Sequence, residues 1–450
     1  MSDVEVVIIG AGAAGLAAAR ALVDGGRRVC VLEARDRIGG RVCSVRVPGG
    51  PMAVELGAEF IHGERNAVWD VVDAAALTVA DSAEEHWVLA DGALRRREDY
   101  DDRVEQVMRR LNDVRGADRS FADFLAREFG GDEWADARRH AAAYVEGFHA
   151  APIDRVGVKG LARAESGASG TNETAFRFAH GYDAVTTWLC DPVDGSAPPL
   201  DVRLDTIVER VAWERGRATV HARRADGSAA ESVTARAVVV TLPIGVLKAS
   251  AHEPGAVRFV PELRAIQDAL AGVDAGHVRR LALRFRTRFW EREGGAPALE
   301  NAADGAELAF MHAPGADVPV WWTMRSLRAP LLVGWAGGPT ALRLAGRSHD
   351  ELTARALITL STVLGASEHA LRDELLELHT HDWSADPYTR GAYSYVRVGG
   401  VDAPATLAAP VHDTIFFAGE ATQTDGSAGT VHGAIASGRR AADEVARALG

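Results

Sequence analysis

The sequence predicts a mixed α/β protein of two domains, one of which is interrupted twice along the chain. The 450 residues, 47% of them hydrophobic and 25% charged, are enough to bury two cores. A strand–helix–strand pattern occupies the first 35 residues, and a strand, a glycine-rich turn and a helix return at the C-terminus. Long helical and mixed segments separate these two parts, which are therefore expected to join in one domain.

The first three elements form a βαβ unit. Residues 4–9, "VEVVII", are a β-branched run that ends at Gly10, and "RRVCVLEA" is the second strand. Between them, "AGLAAARALVDGG" has helical composition and stops at Gly25 and Gly26.

The later elements change character along the chain. Residues 65–200 contain charged stretches such as "DYDDRVEQVMRRLNDV" and "SFADFLAREF", which predict an inserted helical region. Strands return over residues 200–245, and residues 262–400 are mixed, with "PLLVGWAGG" as a strand and "HDELTARALITLSTVL" as a helix. The last strand is "TIFFAG", and the last helix lies in "GTVHGAIASGRRAADEVARAL".

A glycine motif lies between the first strand and the first helix. Gly10, Gly12 and Gly15 are spaced as G-x-G-x-x-G, which allows a tight turn, close backbone approach to a pyrophosphate and close helix packing. The helix N-terminus supplies N–H donors to the phosphates. Glu33 ends the second strand, where an acid binds ribose hydroxyls. The sequence therefore predicts a Rossmann-type dinucleotide site, with Gly39, Gly40 and the arginines beside them as further pyrophosphate contacts.

Composition excludes several classes of function. A net charge of −13 and the lack of aromatics among the basic runs argue against nucleic acid as a partner. Three scattered cysteines and the absence of HExxH or related patterns predict neither disulfides nor a metal site. The chain lacks an eighteen-residue apolar run and signal-peptide flanks, so we expect a cytoplasmic protein without membrane contact.

Six motifs occur in order along nearly the whole chain. They are "GAGAAGLAAARAL…VLEARDRIGGRV", "ELGAEFIHG" at 55–63, "LPIGVLK" at 242–248, "FW" at 289–290, "DPYTRGAYSY" at 386–395 and "FFAGEATQTDGSAGTVHGAIASG" at 416–438. Together they resemble the motifs of the flavin-containing amine oxidases, a family that includes polyamine oxidases, monoamine oxidases and histone-lysine demethylases. The polyamine oxidase and demethylase branch is the most similar.

The resemblance implies a discontinuous Rossmann-type FAD-binding domain, formed by residues 1–75, 200–260 and 400–450. Residues 76–199 and 261–399 would form an interleaved substrate-binding domain of mixed sheet and helices. FAD is long, so its two ends would need two separate glycine turns. The implied FAD contacts are Gly10, Gly12, Ala13, Ala14, Gly15, Glu33, Ala34, Arg35, Gly39, Gly40, Arg41, Leu56, Gly57, Ala58, Glu59, Val208, Gly419, Glu420, Thr430 and Val431.

The resemblance also assigns the reaction site. One ring of an aromatic cage would be Tyr393, and the facing position is Thr430, so the cage is one-sided. Monoamine oxidases attach their flavin through a cysteine at the position of Ala392, so non-covalent FAD is expected here. Counting ten residues back from Trp290, where the family has a lysine, reaches Arg280. Arginine is always charged, which puts fast reaction with oxygen in doubt and suits a substrate carboxylate.

Three further residues complete the predicted site. Glu59 would anchor an ammonium group, His62 would hydrogen-bond a distal amine, and Trp383 would line the flavin or substrate channel. We assign His432 and Trp322 to packing.

The resulting expectation is an FAD-dependent amine oxidase. A hydride would pass from the α-carbon of a polyamine-like amine to flavin N5, the imine would hydrolyse, and O₂ would reoxidise the flavin to give hydrogen peroxide. The alternatives are an L-amino-acid oxidase or biosynthetic flavoenzyme, a non-catalytic flavin-binding protein and, least favoured, a nicotinamide dehydrogenase. The substrate's length and stereochemistry and the oligomeric state, with a homodimer as one option, stay open.

Overall fold

The structure is a computed structural model that describes residues 4–50, 52–82, 85–96, 101–167, 174–192, 195, 197–292, 294–299 and 308–450. Over these ranges, no helix combines the length and apolar character needed to cross a bilayer.

The strands are short and are distributed over the whole described chain. In chain order they are β1 (Val6–Ile9), β2 (Val29–Leu32), β3 (Ser44–Arg46), β4 (Ala53–Glu55), β5 (Phe60–His62), β6 (Val79–Asp81), β7 (His86–Ala90), β8 (Ala93–Arg96), β9 (Ala175–Phe178), β10 (Val202–Arg203), β11 (Thr206–Glu214), β12 (Arg217–Arg224), β13 (Val233–Ala235), β14 (Ala237–Val240), β15 (Arg258–Val260), β16 (Val273–Ala275), β17 (Val278–Phe285), β18 (Phe310–His312), β19 (Val320–Met324), β20 (Ala329–Gly337), β21 (Leu375–His379), β22 (Ser394–Val396) and β23 (Ile415–Phe417).

The helices connect and cover these strands. They are α1 (Ala13–Asp24), α2 (Ala67–Ala74), α3 (Asp101–Arg109), α4 (Phe121–Glu128), α5 (Ala135–Phe148), α6 (Val158–Ser166), α7 (Asp183–Cys190), α8 (Ile244–Leu247), α9 (Arg264–Leu270), α10 (Gly338–Arg343), α11 (His349–Leu364), α12 (Glu368–Glu374), α13 (Ala403–Ala408) and α14 (Val431–Leu449).

A five-stranded parallel sheet joins distant parts of the chain. Its order is β10-β2-β1-β14-β23, so the N-terminal βαβ unit pairs with strands from the middle and the end of the sequence. β1, β2, β14 and β23 are buried along their whole length, as expected for a parallel sheet covered on both faces. Helices α1 and α14 pack on one face, and the β13-β12-β11-β15 sheet packs on the other.

A seven-stranded sheet and a helical cluster form much of the remaining described chain, beside the smaller sheets β16-β22, β3-β4 and β5-β9-β6. The seven-stranded sheet has the order β21-β17-β20-β19-β18-β7-β8 and shares a core with α11. Helices α3 to α6 have a core of their own. The region predicted as a helical insertion, residues 65–200, therefore also contains strands, and β7 and β8 belong to the seven-stranded sheet. Pairing with β18, more than 200 residues later, stabilises β7, so local composition gave no sign of it.

Candidate active site

A continuous cavity of about 2140 Å³ extends from the turn between β1 and α1 to the N-terminus of α14 and into the helical cluster. A concave site of this kind, between two packed parts of a chain, is where ligands usually bind.

The first glycine turn has the conformation that a pyrophosphate site requires. Gly10 has φ +104°, and a Cβ on Gly15 would lie 1.9 Å from the Gly10 carbonyl oxygen. Neither position accepts a larger residue. Gly12 is the N-cap of α1 and has no side-chain cap, so the first N–H groups of the helix face the cavity. Glu33 is buried beside them, where its Oε2 accepts from the Ala11 N–H at 2.8 Å.

Glu420 holds the second glycine turn together. Its carboxylate accepts from Arg41 Nη1 at 2.9 Å, from Ser394 Oγ at 2.6 Å and from the Gly429 N–H at 3.0 Å. The predicted role of Glu420 was contact with the cofactor. Glu420 lines the cavity, and its hydrogen bonds also connect Arg41, Ser394 and Gly429 of the cavity wall.

The structure brings the predicted cofactor residues together. All of them line the cavity except Gly15, which lies in the first turn of α1 and packs against the backbone of Gly10. The residues fit the long dinucleotide that the sequence resemblance implies, because an uncapped helix N-terminus and a buried acid lie at one end of the cavity. The other end has the start of α14, where Thr430 is the N-cap.

The predicted catalytic residues also lie on the cavity wall, and a buried ion cluster connects two of them. Glu59 Oε1 accepts from Arg177 Nε at 2.6 Å and from Trp322 Nε1 at 3.1 Å, and its Oε2 accepts from Arg280. The guanidinium of Arg177 lies 4.5 Å from the Phe60 ring centroid, and that of Arg280 lies 5.3 Å from the Trp322 ring. Two cations thus share one carboxylate, and the cluster has a net charge of about +1.

This cluster bears on two residues named in the sequence analysis. Glu59 does not present a free carboxylate to a substrate ammonium, because both of its oxygens already accept from guanidinium groups, which hold the pKa of Glu59 below its ordinary value despite burial. Trp322 packs in a buried hydrophobic core, as expected, and it also lines the cavity and donates to Glu59.

Glu55 lies two residues along the chain from Gly57 and is almost completely buried. Burial raises its pKa to about 7, although Ser44 Oγ and the Tyr182 N–H donate to it at 2.7 and 2.8 Å. This carboxyl group is therefore near its titration point at neutral pH.

Aromatic side chains surround the part of the cavity beside the second glycine turn. The Tyr393 ring packs against Gly429, and its hydroxyl donates to the Phe148 carbonyl. His62 lies edge-on to the Phe148 ring at 6.4 Å between centroids, and burial lowers the pKa of His62. Trp383 donates to the Leu56 carbonyl at 2.9 Å and packs beside Gly57.

Sequence reasoning missed Arg177, Tyr144, Phe148 and Glu165 on the wall of this site or in its ion cluster. Arg177 lies in the strand "AFRF", and a lone charge in an apolar strand was the available signal. Tyr144, Phe148 and Glu165 lie on helices α5 and α6, where the sequence pattern did not separate them from ordinary surface or core positions.

His432 is buried with its Nε2 unpaired within the described structure, and burial lowers its pKa to about 4.

The parallel sheet, the uncapped glycine turn and the long cavity define a protein of the dinucleotide-binding class. The chain belongs to the flavin-containing amine oxidoreductase family, whose sequence profile, described as "Flavin containing amine oxidoreductase", matches residues 13–446. The predicted family, fold class, enzyme class and FAD cofactor are thereby confirmed.

Individual relatives match over almost the whole chain. Polyamine oxidase 4 of Oryza sativa subsp. japonica is 29% identical over 98% of this chain and 88% of its own. Lysine-specific histone demethylase 2 of Homo sapiens is 27% identical over 98% of this chain and 53% of its own. A putrescine oxidase bound to putrescine has a TM-score of 0.80 at 22% identity, with 99% of each chain covered. Cyclohexylamine oxidase from Brevibacterium oxydans IH-35A has a TM-score of 0.78 at 22% identity and the same coverage.

Proposed function

We propose that the protein oxidises a small aliphatic amine of the polyamine type at the aromatic end of the cavity, with non-covalently bound FAD. The observation that carries this proposal is the chamber formed by Tyr393, His62 and Phe148 beside the second glycine turn. Aromatic faces attract an amine and pack on its alkyl chain. Similarity to polyamine oxidase 4 over 98% of the chain supports the choice of substrate class.

The protein's contribution is to orient an uncharged amine and to exclude water. His62 stays neutral near neutral pH because burial lowers its pKa, so it does not repel a cationic substrate on entry. The net positive charge of the Arg177–Glu59–Arg280 cluster disfavours a protonated amine nearby. The reacting nitrogen is thereby favoured in the neutral form, whose lone pair supports loss of the α-hydrogen.

When bound, the flavin supplies the oxidant that accepts two electrons and the α-hydrogen of the amine. Hydrolysis of the resulting imine yields an aldehyde and the released amine. We propose O₂ as the final acceptor, so that one amine, one water and one O₂ give one aldehyde, one released amine and one H₂O₂.

The amino-acid oxidase alternative requires Arg280 or another arginine of the cavity as a carboxylate ligand. Arg280 is buried, donates to Glu59 and lies over Trp322. Its Nη2 already donates to Glu59, so a bidentate contact with a substrate carboxylate through Nη2 would compete with this ion pair, and the geometry favours amines without an α-carboxylate.

The test is anaerobic mixing of the FAD-loaded protein with putrescine, spermidine, benzylamine and ornithine, followed by the flavin absorbance. Bleaching by an amine, with peroxide formed on readmission of air, is the expected result. Bleaching by ornithine alone would favour the amino-acid oxidase, and flavin that no compound bleaches would refute the proposed oxidase activity.

A further inference from the structure

Glu165, on α6, presents a carboxylate to the cavity. Its Oε1 accepts from Tyr144 Oη at 2.9 Å and lies 2.7 Å from His149 Nε2. Its side chain is 13% exposed, and no described residue donates a hydrogen bond to Oε2. The neighbouring groups fix the orientation of the carboxylate and leave one oxygen for a ligand.

A tyrosine and a histidine hold Glu165, which has no arginine partner among the residues described. In the described part of the chain, no lysine or arginine lies within ion-pairing distance of it, and Arg163 of the same helix donates instead to the Val401 carbonyl at 2.8 Å. Four of the other cavity glutamates, Glu33, Glu59, Glu105 and Glu420, have arginine partners, whereas Glu146 of α5 forms no ion pair with a described residue. A largely buried carboxylate without an arginine or lysine partner is a good site for a cationic ligand.

An aromatic wall connects Glu165 with the reaction chamber. Tyr144 and Phe148 are one helical turn apart on α5, and their rings stack with centroids 5.4 Å apart. The Phe148 carbonyl accepts from Tyr393 Oη at the other end of this wall. An alkyl chain on these rings would therefore have one end at Tyr393 and the other at Glu165.

We propose that Glu165 binds the distal ammonium of a diamine or polyamine whose other nitrogen is oxidised at Tyr393. The ammonium donates to Oε2, and the faces of Tyr144 and Phe148 stabilise the cation and its methylenes. Glu165 is thus a specificity-determining residue for substrates with two amino groups. This inference rests on the proposed amine oxidase function.

The test compares putrescine with butylamine, which lacks the second amino group, in wild type and Glu165→Gln. Glutamine keeps an acceptor for Tyr144 but loses the charge, so kcat/KM for putrescine falls by about 10- to 100-fold while that for butylamine is unchanged. The matched control is Glu105→Gln, which removes a carboxylate of the same cavity that is already paired with Arg109 and leaves the putrescine-to-butylamine ratio unaltered. Tyr144→Phe keeps the aromatic ring but loses the hydroxyl, and it should lower the putrescine-to-butylamine ratio of kcat/KM less than Glu165→Gln does.

Each outcome is informative. An equal fall for both amines in Glu165→Gln, with a lower unfolding midpoint, would mean a structural role and overturn the subsite. Butylamine oxidised as well as putrescine by the wild type would also overturn it while the proposed oxidase function stands. If no amine bleaches the flavin, the oxidase function itself fails and the subsite fails with it.

Discussion

At the residue scale, the most consequential feature is the pair of buried arginines that share Glu59. Arg177, Arg280 and Glu59 are each less than 7% exposed. Burying a charge is costly unless it is paired and hydrogen-bonded, so the single carboxylate stabilises two guanidinium groups at once. The cluster brings residues 59, 177 and 280 into one site, and its stability depends on Glu59 more than on either arginine.

We expect Glu59→Gln to lower the free energy of unfolding by about 3–5 kcal/mol, because two buried cations would then lack a counter-ion. Urea unfolding of the FAD-loaded protein measures this loss. The matched control is Glu291→Gln, which removes the carboxylate of an exposed pair with Arg288 and should cost at most about 1 kcal/mol. Equal losses in the two variants would mean that the cluster is not the source of stability inferred here.

Glu55 predicts a pH dependence of stability. Its folded pKa of about 7 lies above the ordinary value of 4.5, so between these values the folded state keeps a proton that the unfolded state has lost. The contribution of Glu55 to stability is therefore full below about pH 4.5 and falls, by about 3 kcal/mol, as the pH rises to about 7.

Unfolding of wild type and Glu55→Gln at several pH values isolates this contribution from that of the histidines. Glutamine cannot ionise, so the variant should gain stability relative to wild type as the pH rises from about 4.5 to 7. A difference that does not change with pH would show that Glu55 does not titrate in this window.

Arg280 allows a test of the oxygen reaction. Lysine has a compact, strongly hydrated ammonium, whereas Arg280 is a planar guanidinium whose Nη2 donates to Glu59. We expect Arg280→Lys to raise the rate at which O₂ reoxidises the reduced flavin, measured by stopped-flow absorbance. The rate of anaerobic reduction by substrate serves as the internal control. An unchanged oxygen rate would argue that Arg280 does not occupy the family's lysine position.

At the scale of elements, local pattern and long-range pairing differ in how well they can be read from the sequence. The segment "HDELTARALITLSTVL" is helix α11 over its whole length, since Ser348 and Glu351 form a capping box and Gly365 ends it in a left-handed conformation. Strand β1, which precedes the glycine motif, was likewise predicted from its run of β-branched residues. In contrast, the two-residue strand β10 exists because it pairs with β2. The ion cluster of Glu59 was missed for the same reason, since its members lie in different strands or turns.

Helix α14 packs on α1 through Gly438, where an added Cβ would lie 2.2 Å from the Ala14 carbonyl oxygen. Gly438→Ala would push apart two helices whose N-termini both line the cavity, and should cost about 1–3 kcal/mol of unfolding free energy and weaken FAD retention. Gly147→Ala is the matched control: this helical glycine has no atom within 4 Å of an added Cβ, so alanine should stabilise by about 0.5–1 kcal/mol. An unchanged free energy of unfolding in Gly438→Ala would mean that α1 and α14 can move apart without loss of stability.

At the scale of the whole molecule, the two ends of the cavity are built from distant parts of the chain. Gly12 and Glu33 lie at one end, whereas Glu420 and Thr430 lie at the other, and β1 and β23 are held in one sheet through β14. This arrangement supports our proposal that residues 1–75, 200–260 and 400–450 act as one FAD-binding domain. A ligand that contacts both ends binds only the folded chain and stabilises it by mass action.

FAD is therefore expected to raise the unfolding temperature of the apoprotein more than FMN or ADP at the same concentration, since each of these contains only one end of the cofactor. At a hundredfold excess over Kd, the stabilisation by FAD is about 2.7 kcal/mol, and it grows with the logarithm of concentration. Differential scanning fluorimetry of the apoprotein with each ligand measures the shifts. If FMN raised the unfolding temperature as much as FAD does, the end of the cavity at Gly12 and Glu33 would contribute no binding energy. The parallel sheet alone, and not the cofactor, would then connect the two ends of the cavity.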